Sequence, residues 1–332
     1  MQNIHPTNSS GPSPSGNIRR REALAITAAG AMAIAHPAFA LAPEEASLDI
    51  IDCHTHFYDP SRAEGVPWPP KNSGLYRTVL PKHLRELPMY RPVTGTVVVE
   101  ASPWVEDNAW LLELAENDPF IVGIVGNLDP SSEDFTKNLD RFAANPLYRG
   151  IRVNYPALEK LAAKNGLSIL RQLSERDLEL DVNGGIEGTD VVPKIAAAAP
   201  KLRIVINHIG NVGLDQQGPP QGWVDRMKQA AALENTFCKI SALVEGAARG
   251  GKAPPNDPGF YQPYIDTVWN AFGEDRVIYG SNWPVSERAA DYATLQKIVI
   301  DDAARRGDDA LRKFCSLNAK QAYKWVERDG RR

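Results

Sequence analysis

Residues 48–57 read Leu-Asp-Ile-Ile-Asp-Cys-His-Thr-His-Phe, a short apolar run that ends in two histidines. Short runs of apolar and β-branched residues are typical of strands that are buried on both faces of a parallel sheet. Seven more such runs follow along the chain. The eight predicted strands are Leu48–His56, Thr96–Ala101, Ile121–Asn127, Gly150–Asn154, Leu178–Asn183, Arg203–His208, Thr236–Ser241 and Arg276–Gly280.

Helical patterns alternate with these runs. Apolar residues at helical spacing occupy 110–115 and 135–142, and a third helical region, Leu158–Leu173, is divided by Gly166. Eight βα units in series close most simply into a (β/α)₈ barrel, an α/β fold of one domain. An open doubly wound sheet is the alternative, but no G-x-G-x-x-G follows the first predicted strand.

A long irregular insert, Asp59–Arg91, separates the first two predicted strands. In a barrel this insert would lie over or beside the mouth formed by the carboxyl ends of the strands. We expect Trp68 and Tyr76 of the insert to contact the substrate, and His83 to be a loop residue.

Composition excludes several classes of protein. The 332 residues are 43% hydrophobic and 23% charged, which is typical of a globular protein. The net charge is −4 and no basic block is present, so neither nucleic acid nor an anionic membrane surface is an expected partner. The three cysteines form no C-x-x-C pair, which argues against a disulfide framework and a thiolate zinc site. The expected partner is a small-molecule substrate, and the oligomeric state is left open.

The first 40 residues have the pattern of a secretory signal peptide. Arg19, Arg20 and Arg21 precede a weakly apolar stretch, 23–35, and the stretch is followed by an Ala-x-Ala site at 38–40. The stretch is too short to span a bilayer, and the adjacent arginines favour the twin-arginine export route. We therefore predict a signal peptide at 1–40, a barrel domain at 41–332, and a periplasmic or otherwise exported protein without stable membrane association after cleavage.

The candidate site residues follow the predicted strands. His54 and His56 share one face of a strand, because side chains alternate, and together they form half of a metal site or an acid–base pair. His208 and Asn282 come at the ends of the sixth and eighth predicted strands. Arg152 lies near the end of the fourth predicted strand, where its guanidinium could bind an anionic substrate group or form a structural ion pair.

Seven segments in order carry a family resemblance: IDCHTHF, TVVVEASPW, GIVGNLD, GIRVN, IVINHIG, CKISALVEG and VIYGSNWP. Together they resemble the amidohydrolase-2 branch of the amidohydrolase superfamily, nearest to barrel hydrolases related to sugar lactonases and 2-pyrone-4,6-dicarboxylate lactonase. The resemblance covers about residues 48 to 326. It implies hydrolase chemistry in a distorted (β/α)₈ barrel, with a role for His54, His56 and His208.

The chain also departs from the family pattern. The pattern has an Asp in the eighth strand, as G-S-D-W-P, where this chain has Asn282, and an amide cannot take up a proton at neutral pH. No Lys stands in GIRVN and no His in the fifth strand, so a dinuclear centre is not expected. The remaining metal ligands are His54 and His56, with His208 or a carboxylate such as Asp181 or Glu100. The expected cofactor is one divalent metal ion, most simply zinc, or none, since relatives in the lactonase branch are thought to work without metal.

The sequence therefore predicts a hydrolase that attacks a lactone or similar cyclic ester with water. His54 and His56 would polarise the carbonyl, directly or through a metal, and His208 would be the general acid or base. Asn282 would hold the water, and Arg152 a carboxylate or hydroxyl of the substrate. The alternatives are a metal-dependent decarboxylase of the same family and a non-catalytic ligand-binding barrel that has lost its eighth-strand acid.

Overall fold

The structure is a computed structural model that describes residues 48–331, so the predicted signal peptide lies outside the described residues. All eight predicted strands are present, each within a few residues of its predicted bounds. The strands are β1 (Ile51–Thr55), β2 (Gly95–Val99), β3 (Ile121–Gly126), β4 (Tyr148–Asn154), β5 (Glu179–Asn183), β6 (Arg203–Ile206), β7 (Thr236–Ile240) and β8 (Val277–Tyr279).

The strands form one parallel sheet in the order β1-β2-β3-β4-β5-β6-β7-β8. Each strand pairs with the next one along the chain, as expected for eight βα units in series. Between β1 and β8 the ladder reduces to one bridge, Thr55 with Trp283. The sheet is therefore a nearly closed barrel, and the prediction of eight parallel strands with surrounding helices is confirmed.

Asp52 holds the seam between β1 and β8. Its fully buried carboxylate accepts hydrogen bonds from the backbone N–H of Ser281 at 2.9 Å and from the hydroxyl of Tyr292 at 2.8 Å. Beside it, the N–H of Asn282 donates to the carbonyl of His54 at 2.8 Å, and the N–H of His56 donates to the carbonyl of Trp283 at 2.9 Å. The closing contacts therefore fix the backbone of three predicted site residues.

Twelve α-helices are described, most of them on the outside of the barrel. They are α1 (Pro81–Arg85), α2 (Asp107–Asn117), α3 (Phe135–Ala143), α4 (Tyr155–Ala163), α5 (Arg171–Glu175), α6 (Val192–Ala198), α7 (Gln221–Ala231), α8 (Leu243–Ala247), α9 (Pro258–Phe272), α10 (Tyr292–Arg305), α11 (Asp308–Arg312) and α12 (Asn318–Tyr323). The region Leu158–Leu173 is divided at Gly166 as predicted, with α4 before it and a 3₁₀ turn leading into α5 after it.

The insert between β1 and β2 is not wholly irregular. It contains α1, and the predicted loop residue His83 lies in that helix, where its Nδ1 accepts a hydrogen bond from the N–H of Leu80 at 3.0 Å. The prediction of a loop at His83 is therefore wrong. The cause is local, because Pro81 begins a helix too short to show apolar periodicity.

The barrel interior has its own apolar core, closed from below by the C-terminal segment. Side chains of the strands pack with those of α12 and the residues after it: Ile51, Val97, Val99, Val205, Phe237, Ile278, Tyr323 and Trp325 are members. The N–H of Val326 donates to the carbonyl of Val122 near the start of β3. The lower half of the barrel is thus filled, which leaves polar chemistry to the upper half. In residues 48–331 no helix has the length and apolarity needed to cross a membrane.

We predict that Asp52→Ala destabilises the protein by about 3 kcal/mol, because it leaves the N–H of Ser281 and the hydroxyl of Tyr292 buried without an acceptor. Asp52→Asn is the matched control, since it keeps an oxygen facing Ser281, and we expect less than half of that loss. Urea unfolding followed by circular dichroism measures both. Equal stability of the wild type and Asp52→Ala would contradict the role of Asp52 at the seam.

Candidate active site

An open cavity of about 370 Å³ lies at the carboxyl ends of the strands. Its polar lining comes from five different strand ends and its apolar lining mostly from the loops. The lining residues are His56, Trp68, Glu100, Ala101, Pro103, Asn127, Arg152, Asn154, Asn282 and Val285. This is the face on which (β/α)₈ barrels carry their active sites.

Three imidazoles lie close together, and one of them, His56, lines this cavity. The ring centroid of His54 is 5.0 Å from that of His56 and 4.2 Å from that of His208. All three side chains are buried, and Nε2 of His54 has no hydrogen-bond partner among the described residues. The structure thus brings together the three histidines that the sequence singled out from β1 and the end of β6.

All three imidazoles are uncharged near neutral pH. Burial, reinforced by the charge of Arg152, lowers the pKa of His56 to about 3. Burial followed by the charge of Lys239 holds the pKa of His54 and that of His208 well below the ordinary value. A neutral imidazole has one N–H donor and one lone pair, so each ring can donate a hydrogen bond or accept a proton.

The backbone at His208 is strained. His208, Ile209 and Asn211 all have φ near +50°, a left-handed conformation that is a genuine outlier for the β-branched Ile209. Trp223 Nε1 donates to the carbonyl of Ile209 at 2.8 Å, and His208 Nδ1 lies 2.9 Å from Ser241 Oγ. These contacts hold His208 over the barrel mouth at the cost of an unfavourable backbone.

Asn282 lies between His56 and a buried carboxyl. Its Oδ1 lies 3.3 Å from Nε2 of His56, and its Nδ2 donates to Oε1 of Glu245 at 2.8 Å. His56 Nδ1 lies 2.9 Å from the carbonyl of Val99, so in the neutral ring Nδ1 carries the proton and Nε2 has a lone pair. That lone pair faces Asn282 Oδ1, which is also an acceptor, so the neutral ring makes no hydrogen bond to this oxygen. Burial raises the pKa of Glu245 to about 7. The acid that the family pattern places at position 282 is thus absent, but a carboxyl lies directly behind the amide.

Arg152 is partly committed to an ion pair. Its Nε donates to Glu100 Oε1 and its Nη2 to the carbonyl of Glu100, both at 2.8 Å. Nη1 has no hydrogen bond to any residue that the structure describes. The structural ion pair is therefore present, while binding of a substrate group by the edge of Arg152 that lines the cavity stays a prediction.

The structure separates the two aromatic residues predicted for substrate contact. Trp68 lines the cavity, and its ring centroid is 6.0 Å from that of His56. Tyr76 is not among the lining residues, although its own insert supplies Trp68. The sequence of the insert did not indicate which of its side chains would line the cavity.

Sequence reasoning assigned no role to Lys239. Its side chain is fully buried in β7, with Nζ 2.6 Å from Asp181 Oδ2 and 3.2 Å from His54 Nδ1. The sequence feature that could have revealed this role is a lysine within the apolar strand Thr236–Ile240. Lysines are almost never fully buried unless they are paired, so such a lysine predicts a buried partner. Glu245 was visible only as a polar residue after the seventh strand, and nothing local indicated its contact with Asn282.

A parallel barrel with histidines at the carboxyl ends of β1 and β6 is the architecture of a barrel enzyme with its site at the mouth. The sequence pattern of the amidohydrolase family matches residues 51–325. The chain therefore belongs to the amidohydrolase family, as its motifs predicted.

Curated relatives include two lactonases. An L-fucono-1,5-lactonase of Burkholderia ambifaria is 32% identical over 249 residues, which cover 73% of this chain and 82% of that protein. An L-fucono-1,5-lactonase of Burkholderia multivorans is 28% identical over 260 residues, 75% of this chain and 86% of that protein.

Solved structures give the same fold. An amidohydrolase from Burkholderia multivorans, crystallised with bound zinc, has a TM-score of 0.73 at 26% identity, covering 83% of this chain and 99% of that one. A candidate 2-pyrone-4,6-dicarboxylic acid hydrolase from Pseudomonas putida has a TM-score of 0.65 at 20% identity, covering 83% and 98%. The second likeness shows the fold alone.

The contact between Asn282 and Glu245 predicts how stability depends on pH. Because the pKa of Glu245 is raised to about 7, the stability that comes from binding its proton is complete at acid pH and is lost as the pH rises through about 7. We expect Glu245→Gln to abolish this loss, worth at most about 3 kcal/mol. Asn282→Asp should deepen it, because two adjacent buried carboxyls cannot both ionise.

The double variant Glu245→Gln/Asn282→Asp is the matched control, since it exchanges the acid and the amide. We expect it to lack the steep loss that Asn282→Asp shows. Thermal unfolding between about pH 5 and pH 9 measures all four proteins. If Asn282→Asp and the double variant had the same pH dependence, residue 282 would not contact Glu245.

Proposed function

We propose that this protein is a lactone hydrolase that opens the ring of a sugar-acid lactone by attack of water. The observation that carries the proposal is the set of three uncharged imidazoles, from His54, His56 and His208, beside an open polar cavity. The lactonase relatives support the same substrate class. Lactone hydrolysis needs a donor to the carbonyl oxygen and an acceptor for a proton of water, and neutral imidazoles supply both.

His208 is the residue best suited to accept the proton of the attacking water. Its pKa is depressed mainly by burial, so the ring is unprotonated before substrate binds. A negative charge that develops on the carbonyl oxygen of the lactone favours the protonated imidazole, so the basicity of His208 rises as the reaction proceeds. Ser241, 2.9 Å from His208 Nδ1, fixes the ring orientation during this transfer.

The donor set does not fit a resident divalent metal ion. Asp181, one carboxylate that could complete a ligand set, is paired with Lys239, and the other, Glu100, is paired with Arg152. Lys239 also places a cation 3.2 Å from His54 Nδ1. Within residues 48–331 no cluster of three or more His, Cys, Asp or Glu side chains is arranged to hold a metal. The sequence left two cofactor predictions, zinc or none, and we propose that the protein works without a metal. The bound zinc is a property of the relative from Burkholderia multivorans.

The charge balance of the cavity favours a neutral, hydroxylated lactone. Arg152 is the single cation among the described lining residues, and Glu100 neutralises it. Asn127 and Asn154 add uncharged donors and acceptors for hydroxyl groups. A dicarboxylate would meet only one free guanidinium edge, so we propose a sugar lactone in preference to a pyrone dicarboxylate.

The two alternatives receive less support. Decarboxylases appear among the solved structures with the same fold, but at 12% identity and a TM-score of 0.56, which shows the fold alone. The fifth-strand His and eighth-strand acid of those enzymes are missing here. A non-catalytic barrel is disfavoured because Glu245 restores a carboxyl behind Asn282.

We predict that the purified protein hydrolyses sugar δ-lactones, with L-fucono-1,5-lactone as the first probe, faster than 2-pyrone-4,6-dicarboxylate. Substitution of His54, His56 or His208 by Ala should each lower kcat/KM by about 10² to 10⁴ with the fold intact. His83→Gln is the matched control, because His83 lies in α1 outside the cavity lining. A pH-stat assay measures turnover. Absence of hydrolysis with every lactone, or normal turnover in His208→Ala, would refute the proposal.

We also propose that the protein is exported as a folded enzyme. The support is the sequence of residues 1–40, with its arginine cluster, apolar stretch and Ala-x-Ala site, together with a family match that begins only at residue 51. The proposal includes the domain division at residues 40 and 41.

We expect the mature protein to begin near Leu41 and to be found in the periplasm. Changing Arg19, Arg20 and Arg21 together to Lys keeps the charge of the segment but removes the paired arginines, so the folded precursor should accumulate in the cytoplasm. Cell fractionation with N-terminal sequencing gives the result. Unchanged export and processing of the triple variant would rule out the twin-arginine route.

A further inference from the structure

Lys239 is a charged residue at the centre of the barrel. It lies in β7 between apolar neighbours, and its side chain has no solvent exposure. It reaches across the interior to Asp181 of β5 and to His54 of β1. A buried ammonium group needs a compensating anion and hydrogen-bond acceptors for its remaining N–H groups.

Asp181 supplies the anion. Its Oδ2 lies 2.6 Å from Lys239 Nζ, and its Oδ1 accepts a hydrogen bond from the hydroxyl of Tyr323 at 2.9 Å. Glu179, two residues earlier in β5, adds no second charge, because burial and the neighbouring Asp181 hold its pKa well above the ordinary value. The pair therefore consists of one ammonium and one carboxylate.

The ammonium dictates where His54 carries its proton. Lys239 Nζ lies 3.2 Å from His54 Nδ1, and an ammonium group has hydrogens to donate but no lone pair. His54 Nδ1 must therefore be the acceptor. In a neutral imidazole the single proton then lies on Nε2, the buried atom that has no partner among the described residues.

We propose that Lys239 is a positioning residue that locks His54 in the Nε2–H tautomer, so that this ring donates a hydrogen bond to the lactone carbonyl. The inference rests on the proposed function for the identity of the acceptor. The tautomer of His54 is independent of the proposed function, because it follows from the contact with Lys239. The same lock removes the Nε2 lone pair through which His54 would ligate a metal ion.

A purely structural role for the ion pair makes different predictions. If Lys239 and Asp181 only stabilised the barrel, their removal would lower stability without changing the position of the proton on His54. The double variant Lys239→Met/Asp181→Asn tests this, because it removes both charges and keeps an amide oxygen at position 181 for the hydroxyl of Tyr323. Glu179→Gln is the matched control: it alters the neighbouring buried carboxyl of the same strand, which interacts with the pair, but leaves Lys239, Asp181 and His54 in place.

The experiment is nitrogen-15 NMR of the histidine side chains in protein labelled with [¹⁵N]histidine, with His54 assigned by His54→Gln. In the wild type and in Glu179→Gln we expect the proton on Nε2 of His54. In Lys239→Met/Asp181→Asn we expect the Nδ1–H form to be populated, and kcat to fall about 10²- to 10³-fold with KM changed less than about threefold, as for loss of a donor to an oxyanion.

A proton on Nδ1 in the wild type, or an unchanged tautomer in the double variant, would overturn the inference. If the double variant failed to fold, the wild-type spectrum would still test the inference, because an Nδ1–H form of His54 in the wild type contradicts the proposed Nε2–H tautomer. Failure of the proposed function would be distinct: no lactone would be hydrolysed, whereas the NMR result on His54 would stand.

Discussion

The seam between β1 and β8 is the constraint on which the candidate site depends. The carbonyl of His54 accepts from the N–H of Asn282, and the N–H of His56 donates to the carbonyl of Trp283. The barrel therefore closes through the backbone of the residues whose side chains form the site. Asp52 completes the seam from the outer side of the sheet by accepting from Ser281 and Tyr292. The same hydrogen bonds therefore close the barrel and position His54 and His56.

Charge compensation is the second constraint. Lys239 and Arg152 both lie close to the histidines, and each has its own carboxylate, Asp181 and Glu100. Each pair is neutral overall. The imidazoles lie in a buried region with these two cations nearby and, among the described residues, no unpaired anion beside them. Burial lowers the pKa values of the three imidazoles, the two cations add to that lowering, and the rings stay in the neutral form that can donate or accept a proton.

Much of the fold could be predicted from the sequence, since each strand is a local apolar run with its own periodicity. The proximity of His54, His56 and His208 was also predictable, because they lie at the ends of such runs and strand ends meet at one mouth. The partners of these residues were not. Lys239 is 185 positions from His54, and closure of the barrel brings them together. Glu245 is 37 positions from Asn282, and the pairing of β7 with β8 brings these two together. Tyr76 shows the same limit, since an insert without periodicity does not reveal which side chains face the cavity.

The central claim is that uncharged imidazoles, and not a bound metal ion, supply the chemistry of this site. The most direct test is lactone hydrolysis by protein stripped of metal with a chelator, with metal content verified by elemental analysis. The account predicts that kcat/KM of the stripped protein equals that of the untreated protein within about twofold, as expected when no group that acts in the transition state has been removed, and that zinc does not increase it. Loss of activity on stripping, followed by recovery with one equivalent of zinc, would contradict it.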